Sequence, residues 1–87
     1  MIGSYEVVLA RSARKELEVL SHNLMNRILV KIEALGDAPR PGGCRKLQGS
    51  GDLYRIRIGD YRVLYEVDDA RRMVDVIAVR HRSEAYR

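Results

Sequence analysis

The chain contains no tryptophan and no phenylalanine, a single cysteine and two prolines in 87 residues. With those aromatics missing, a core has to be assembled from Leu, Ile, Val and Tyr. One cysteine, Cys44, excludes an internal disulfide, and a lone thiol suits a reducing compartment. No apolar run approaches the roughly 20 residues of a membrane span, and the start MIGSYEVVLARSARKEL lacks the apolar segment of a signal peptide. The cytoplasm is therefore the expected location, with no membrane partner. Lysine is also scarce. Of 16 basic residues only Lys15, Lys31 and Lys46 are Lys, and the rest are Arg, the side chain suited to planar, bidentate recognition of phosphate or carboxylate. The 12 acidic residues leave a net charge of +4, a modest excess, so the positions of the arginines carry more information than their number.

A chain this short buries about 60–65% of its unfolded surface, which supports one small core and one domain spanning residues 1–87. At 46% hydrophobic and 32% charged, the composition is that of a folded globular protein. Residues 4–9, SYEVVL, read as a strand. Ser12 is then placed to cap a helix whose apolar positions Ala13, Leu17 and Leu20 fall on one stripe. Ser21 or Asn23 starts a second helix with Leu24, Ile28, Ile32 and Leu35 in line, widened by Met25 and Leu29 and stopped at Gly36. Residues 37–52 hold both prolines and four of the seven glycines, which is loop chemistry with Leu47 as its apolar anchor.

Beyond that loop the hydrophobic period changes from 3.6 to 2. Residues 53–58 and 61–67 alternate around Gly59-Asp60, a tight-turn signal, and residues 72–79 form a further strand after DDAR. The expected architecture is α+β, in the order β-α-α-β-β-β. A three-strand antiparallel meander carries a helical hairpin on one face.

With Gly59 and Asp60 as the two loop residues, Arg57 faces Arg62, Arg55 faces Leu64 and Tyr54 faces Tyr65. Tyr54, Ile56, Ile58, Tyr61, Val63, Tyr65 and Val67 then make the apolar side. Leu53, Arg55, Arg57, Arg62, Leu64 and Glu66 lie on the other. Like charges directly opposite in a ladder repel; any one of these arginines reads as part of an ordinary solvated sheet face, while three on two neighbouring strands tilt the reading toward an anion site and leave both open. Parity extends the face to the last strand. An even turn puts Asp75, Ile77, Val79 and His81 with the arginines and Val74, Val76 and Ala78 under the helices, whereas an extra residue would exchange His81 for Arg80 and Arg82. Asp75 favours the first register, because an unpaired carboxylate under the helices would be costly. A histidine there would be the group suited to proton transfer near neutrality. His22, His81 and Cys44 show no metal-ligand spacing, and no cofactor is expected.

The strand-helix-helix start, the KLQG loop at 46–49, the hairpin LYRIRIGDYRVLYEV and the closing VRHRSEAY occur in an order and spacing that strongly resemble the RelE/ParE superfamily of type II toxins, in its RelE-like branch. The resemblance covers essentially the whole chain. It implies a metal-independent endoribonuclease that cuts mRNA in the A site of the 70S ribosome by driving a 2′-hydroxyl onto the adjacent phosphate. Position by position it implies catalytic roles for Arg55, Arg57, Arg62, Arg82 and Tyr86; His81 joins the catalytic candidates from its strand position, and Arg45, Lys46 and Arg80 are expected to contact RNA. The choice among Arg80, His81 and Arg82 stays open, with parity favouring His81. Arg55 and Arg57 stand where some relatives have lysine. Arginine cannot serve as a base, so these side chains are assigned to phosphate binding and charge stabilisation, leaving proton transfer to His81, Tyr86 or the RNA. The resemblance also implies a cognate antitoxin, with a heterotetramer as a possible assembly; with one residue after Tyr86 in this sequence, no C-terminal helix is expected over the site. Two alternatives share the same surface: a ParE-like inhibitor of DNA gyrase on the same fold, and an RNA- or protein-binding module without catalysis.

Overall fold

The computed structural model describes residues 4–47 and 51–83. Strand β1 is Glu6–Leu9, helix α1 Arg11–Glu18, helix α2 His22–Ala34, and strands β2 to β5 are Arg45–Lys46, Leu53–Ile58, Tyr61–Asp68 and Met73–His81. The five strands form one mixed sheet in the order β1-β5-β4-β3-β2, with β1 parallel to β5 and the other pairs antiparallel. The α+β expectation and the meander of β3, β4 and β5 hold. Two features go beyond the expected pattern: β1 adds a parallel edge, and the stretch read wholly as loop contributes the two-residue edge strand β2. So short a strand is one way to blunt an exposed sheet edge.

Both helices pack on one face. Ala13 and Leu17 of α1, and Ile28 and Ile32 of α2 with Leu35 just beyond it, are buried against Tyr54, Ile56, Ile58, Val63, Tyr65, Val67, Val74, Val76 and Val79. The apolar stripe read from the 3.6-residue period is thus the face that meets the sheet. Ser21 caps α2, its Oγ accepting from the Leu24 N–H at 3.3 Å. Ser12 does not cap α1. Ala10 occupies that position, and the Ser12 hydroxyl instead donates to the Ile77 carbonyl at 2.6 Å, tying the helix to the neighbouring strand.

The turn of chain after α2 passes close under the start of β1. Tyr5 N–H donates to the Gly36 carbonyl at 3.0 Å, and a Cβ built on Gly36 would stand 3.0 Å from the Tyr5 carbonyl oxygen and 3.4 Å from Val7 Cγ2. Glycine is required here by proximity of backbone. Gly36→Ala is expected to destabilise the fold by about 1–3 kcal/mol, the usual cost of overpacking a tight contact, and a denaturant titration with unchanged slope would register it.

The loop that follows is pinned to the sheet by a polar network that links four parts of the chain. Arg40 pairs with both Asp69 oxygens, at 2.8 and 3.2 Å, donates through Nε to the Tyr54 hydroxyl at 2.9 Å, and lies over the Tyr54 ring at 5.1 Å. The Tyr5 hydroxyl donates to Asp69, and the Tyr65 hydroxyl to the Pro39 carbonyl at 2.8 Å. These hydrogen bonds from Arg40 and Tyr5 hold the Asp69 carboxyl below its ordinary range, and the same contact with Asp69 raises Tyr5. Burial raises the Tyr65 hydroxyl, so it stays a donor. Tyr54 and Tyr65 were expected as core residues, and they are; their hydroxyls additionally fix the loop.

Candidate functional site: an arginine-lined sheet face

The β3–β4 ladder pairs Arg57 with Arg62, Arg55 with Leu64 and Tyr54 with Tyr65, as the two-residue loop requires. Gly59 takes a φ of 60°, the left-handed conformation such a turn demands of its first residue. Arg57 and Arg62 therefore project to the same side, away from the helices.

The last strand departs from simple alternation. The β4–β5 ladder pairs Tyr65 with Val76 but Leu64 with Ala78, so Ile77 is an extra residue and the register shifts there. A bulge reverses side-chain parity from that point on. Before it, Asp75 sits opposite Glu66 on the arginine side, as expected. After it the expectation fails. Val79 pairs with Val63 in the core, Ala78 joins Leu64 on the arginine side, Arg80 pairs with Arg62, and His81 pairs with Tyr61. The extra residue that would exchange His81 for Arg80 lies inside the strand, not in the turn before it.

Three rows result across the open face. The first is Arg57, Arg62 and Arg80, and the second is Arg45, Arg55, Leu64 and Ala78. The third, Leu53, Glu66, Asp75 and Val8, turns the surface acidic. Arg62 at the centre of the first row is 4% exposed, the one buried charged residue among those described. Flanked and stripped of water, its charge acts through a lower effective dielectric than that of an exposed arginine. Arg55 Nε is also buried, without a hydrogen-bond partner among the described residues.

Other expected site residues lie elsewhere. His81 stands on the Tyr61 side of the sheet, edge-on to that ring at 5.3 Å, with its Nδ1 accepting from the Ser83 N–H at 3.2 Å. Lys46 pairs opposite Tyr54, which places it at the sheet edge with the parity of the core side. Arg82 closes the hairpin end: its N–H donates to the Asp60 carbonyl at 2.7 Å, and its Nε is 3.9 Å from Asp60 Oδ1. Tyr86 and the end of the KLQG loop lie outside the described residues. Among the described residues no group of three His, Cys, Asp or Glu comes together as a metal site, and no helix is long and apolar enough to cross a membrane.

The model of one protein family, the ParE toxin of type II toxin-antitoxin systems (parDE), matches residues 7–86. The chain belongs to the RelE/ParE toxin superfamily. A RelE-like toxin protein of Escherichia coli is 30% identical over 86 residues, covering 94% of this chain and 90% of the relative. Among solved structures, RelE of the archaeal RelE-RelB complex from Pyrococcus horikoshii superposes with a TM-score of 0.82 at 31% identity, over 93% of this chain and 98% of that one. The isolated RelE toxin of E. coli gives a TM-score of 0.78 at 31% identity, over 94% and 90%. As a RelE/ParE toxin, the chain carries its arginine rows on the open face of a sheet of RelE type.

Arg80 is the functional candidate that alternation misplaced, and Glu16 is one that no motif or spacing singles out. Arg40 and Asp69 likewise match no motif, and Tyr5 has no role assigned by pattern alone. A signal for them was present in principle, since buried tyrosines need partners for their hydroxyls.

Proposed function

We propose that this toxin is an endoribonuclease that cleaves mRNA in the ribosomal A site. No metal takes part: the 2′-hydroxyl is driven onto the adjacent phosphate. The observation that carries this reading is the row Arg57, Arg62 and Arg80, three arginines at directly paired positions of adjacent strands, backed by Arg45 and Arg55. Such a row is costly for a fold and suited to a phosphorane-like state, whose oxygens gain charge as the attacking bond forms. Arg55, Arg57, Arg62 and Arg80 bind the phosphate and stabilise that charge. None of them can act as base, and His81 points to the other side of the sheet, so proton transfer falls to Tyr86 or to the RNA.

The RelE of the P. horikoshii complex is bound to RelB, and this supports a cognate antitoxin for the present chain. An acidic or amphipathic segment of it would cover the basic face, in an assembly such as a heterotetramer, and release would free the toxin to act on the cytoplasmic ribosome. The ParE description of the matching family favours a second reading, inhibition of DNA gyrase. Expression of the chain with mapping of mRNA 5′ ends separates them. New 5′ ends within translated codons are expected. Growth arrest with intact translated mRNA and raised DNA damage would overturn the nuclease reading in favour of gyrase.

A further inference from the structure

We infer that Glu16 is a positioning residue that holds Arg80 in the arginine row; this rests on the nuclease reading of that row. Strand β1 ends just before the bulge in β5. Its pairing with β5 stops at Leu9 and Val76, closed by the Ala10 N–H on the Val76 carbonyl at 2.8 Å. Among the described residues no strand lies beside the outer edge of β5 from Ile77 onward, and its outward backbone groups meet other partners. Helix α1 runs along that gap. Ser12 and Glu16, four apart and hence on one helical face, supply what a neighbouring strand would have supplied: the Ser12 hydroxyl donates to the Ile77 carbonyl, and Glu16 Oε1 accepts from the Val79 N–H at 2.7 Å.

That contact alone would make Glu16 a patch over a bulged edge. Its second oxygen does something further: Oε2 accepts from Arg80 Nε at 3.3 Å. One carboxylate thus joins the peptide that follows the bulge to the arginine that the bulge turns onto the open face. The contact is made through Nε, which leaves the terminal pair Nη1 and Nη2, the fork that matches phosphate oxygens, uncommitted to Glu16. A carboxylate beside an anion site lowers its attraction for RNA, so its presence there is accounted for by orientation. A half-exposed arginine otherwise samples many rotamers, and fixing it in advance lowers the ordering cost of each encounter with the reacting phosphate.

Glu16→Gln separates the two contacts. The amide oxygen still accepts from Val79 N–H, so the bulge and the melting temperature are retained, while the charge that holds the guanidinium is gone. In single-turnover cleavage of mRNA on programmed ribosomes, Glu16→Gln is expected to lower kcat about 10-fold with KM within about 2-fold. Combined with Arg80→Ala, it is expected to add no further loss. A purely structural Glu16 predicts wild-type kcat for Glu16→Gln, and independent action predicts multiplied losses in the double variant; either result overturns the inference. A second readout needs no cleavage. The Arg80 Nε–Hε resonance in a nitrogen-proton correlation spectrum of the full chain is expected to be shifted and slowed in exchange by the Glu16 contact, and to revert to the position of an exposed arginine in Glu16→Gln. An unmoved resonance overturns the contact. If wild type cuts no RNA but the resonance moves, the nuclease reading fails and Glu16 still positions Arg80.

Discussion

Arg62→Ala is expected to slow mRNA cleavage on programmed ribosomes by about 10²–10³-fold while leaving the fold intact. The magnitude is that of deleting one preorganised donor from a site that stabilises developing negative charge. Arg62 has the central place in its row, with Arg57 opposite on one side and Arg80 on the other, and it is the buried member of the three. Removing it withdraws the charge that water screens least. Because Arg62 is buried, its truncation also removes packing, and the melting curve separates that cost from the loss of activity. Arg62→Lys refines the result. It keeps the charge as a compact ammonium and gives up the planar fork, and is expected to fall between wild type and the alanine variant. Arg14→Ala, which removes an exposed charge from α1, controls for net charge and should stay within about 2-fold. The checks are single-turnover rates, circular dichroism and a melting curve. An Arg62→Ala rate within about 3-fold of wild type would remove the arginine row from the chemistry.

The hairpin was legible because two signals agreed. Gly59-Asp60 fixed the loop length, and the alternation of Ile and Tyr with Arg fixed the faces, so register and side followed together. The same logic misplaced the end of β5, for a physical reason. Alternation is a local rule, and the bulge at Ile77 breaks it where α1, rather than β1, borders the strand. Nothing in RMVDVIAVRH marks Ile77 as the extra residue: no glycine stands there, and Ile, Ala and Val suit either face. The partners that satisfy the disturbed backbone, Ser12 and Glu16, lie more than sixty positions away in sequence. Local preference alone points Ser12 to a helix cap, yet its hydroxyl serves the Ile77 carbonyl, a case of tertiary contact overriding a local preference. The edge strand β2 was hidden in the same way. Its two residues follow a loop rich in Gly and Pro and show no period, and they are strand only because β3 lies beside them.

The bulge therefore sets up a paired comparison, Arg80→Ala against His81→Ala. Simple alternation would make the histidine the functional neighbour of Arg62; the observed register makes it the arginine. Arg80→Ala is expected to reduce cleavage by about 10²-fold, somewhat less than Arg62→Ala because Arg80 is exposed and at the outer end of the row. His81→Ala is expected to stay within about 3-fold of wild type. Its ring rests edge-on against Tyr61 and binds Ser83, on the side of the sheet that carries the helices. Its loss should appear as a small drop in melting temperature, since an aromatic pair contributes about 0.5–1.5 kcal/mol. The pH-rate profile of His81→Ala should superpose on that of wild type, because a group facing away from the phosphate has no proton to exchange with it. A His81→Ala rate as low as that of Arg80→Ala, with a profile that loses a titrating step, would return proton transfer to the histidine. A full rate for Arg80→Ala would confine the site to β3 and β4. The predicted asymmetry has one structural cause, a single extra residue in β5 that turns Arg80 toward the open face and His81 away from it.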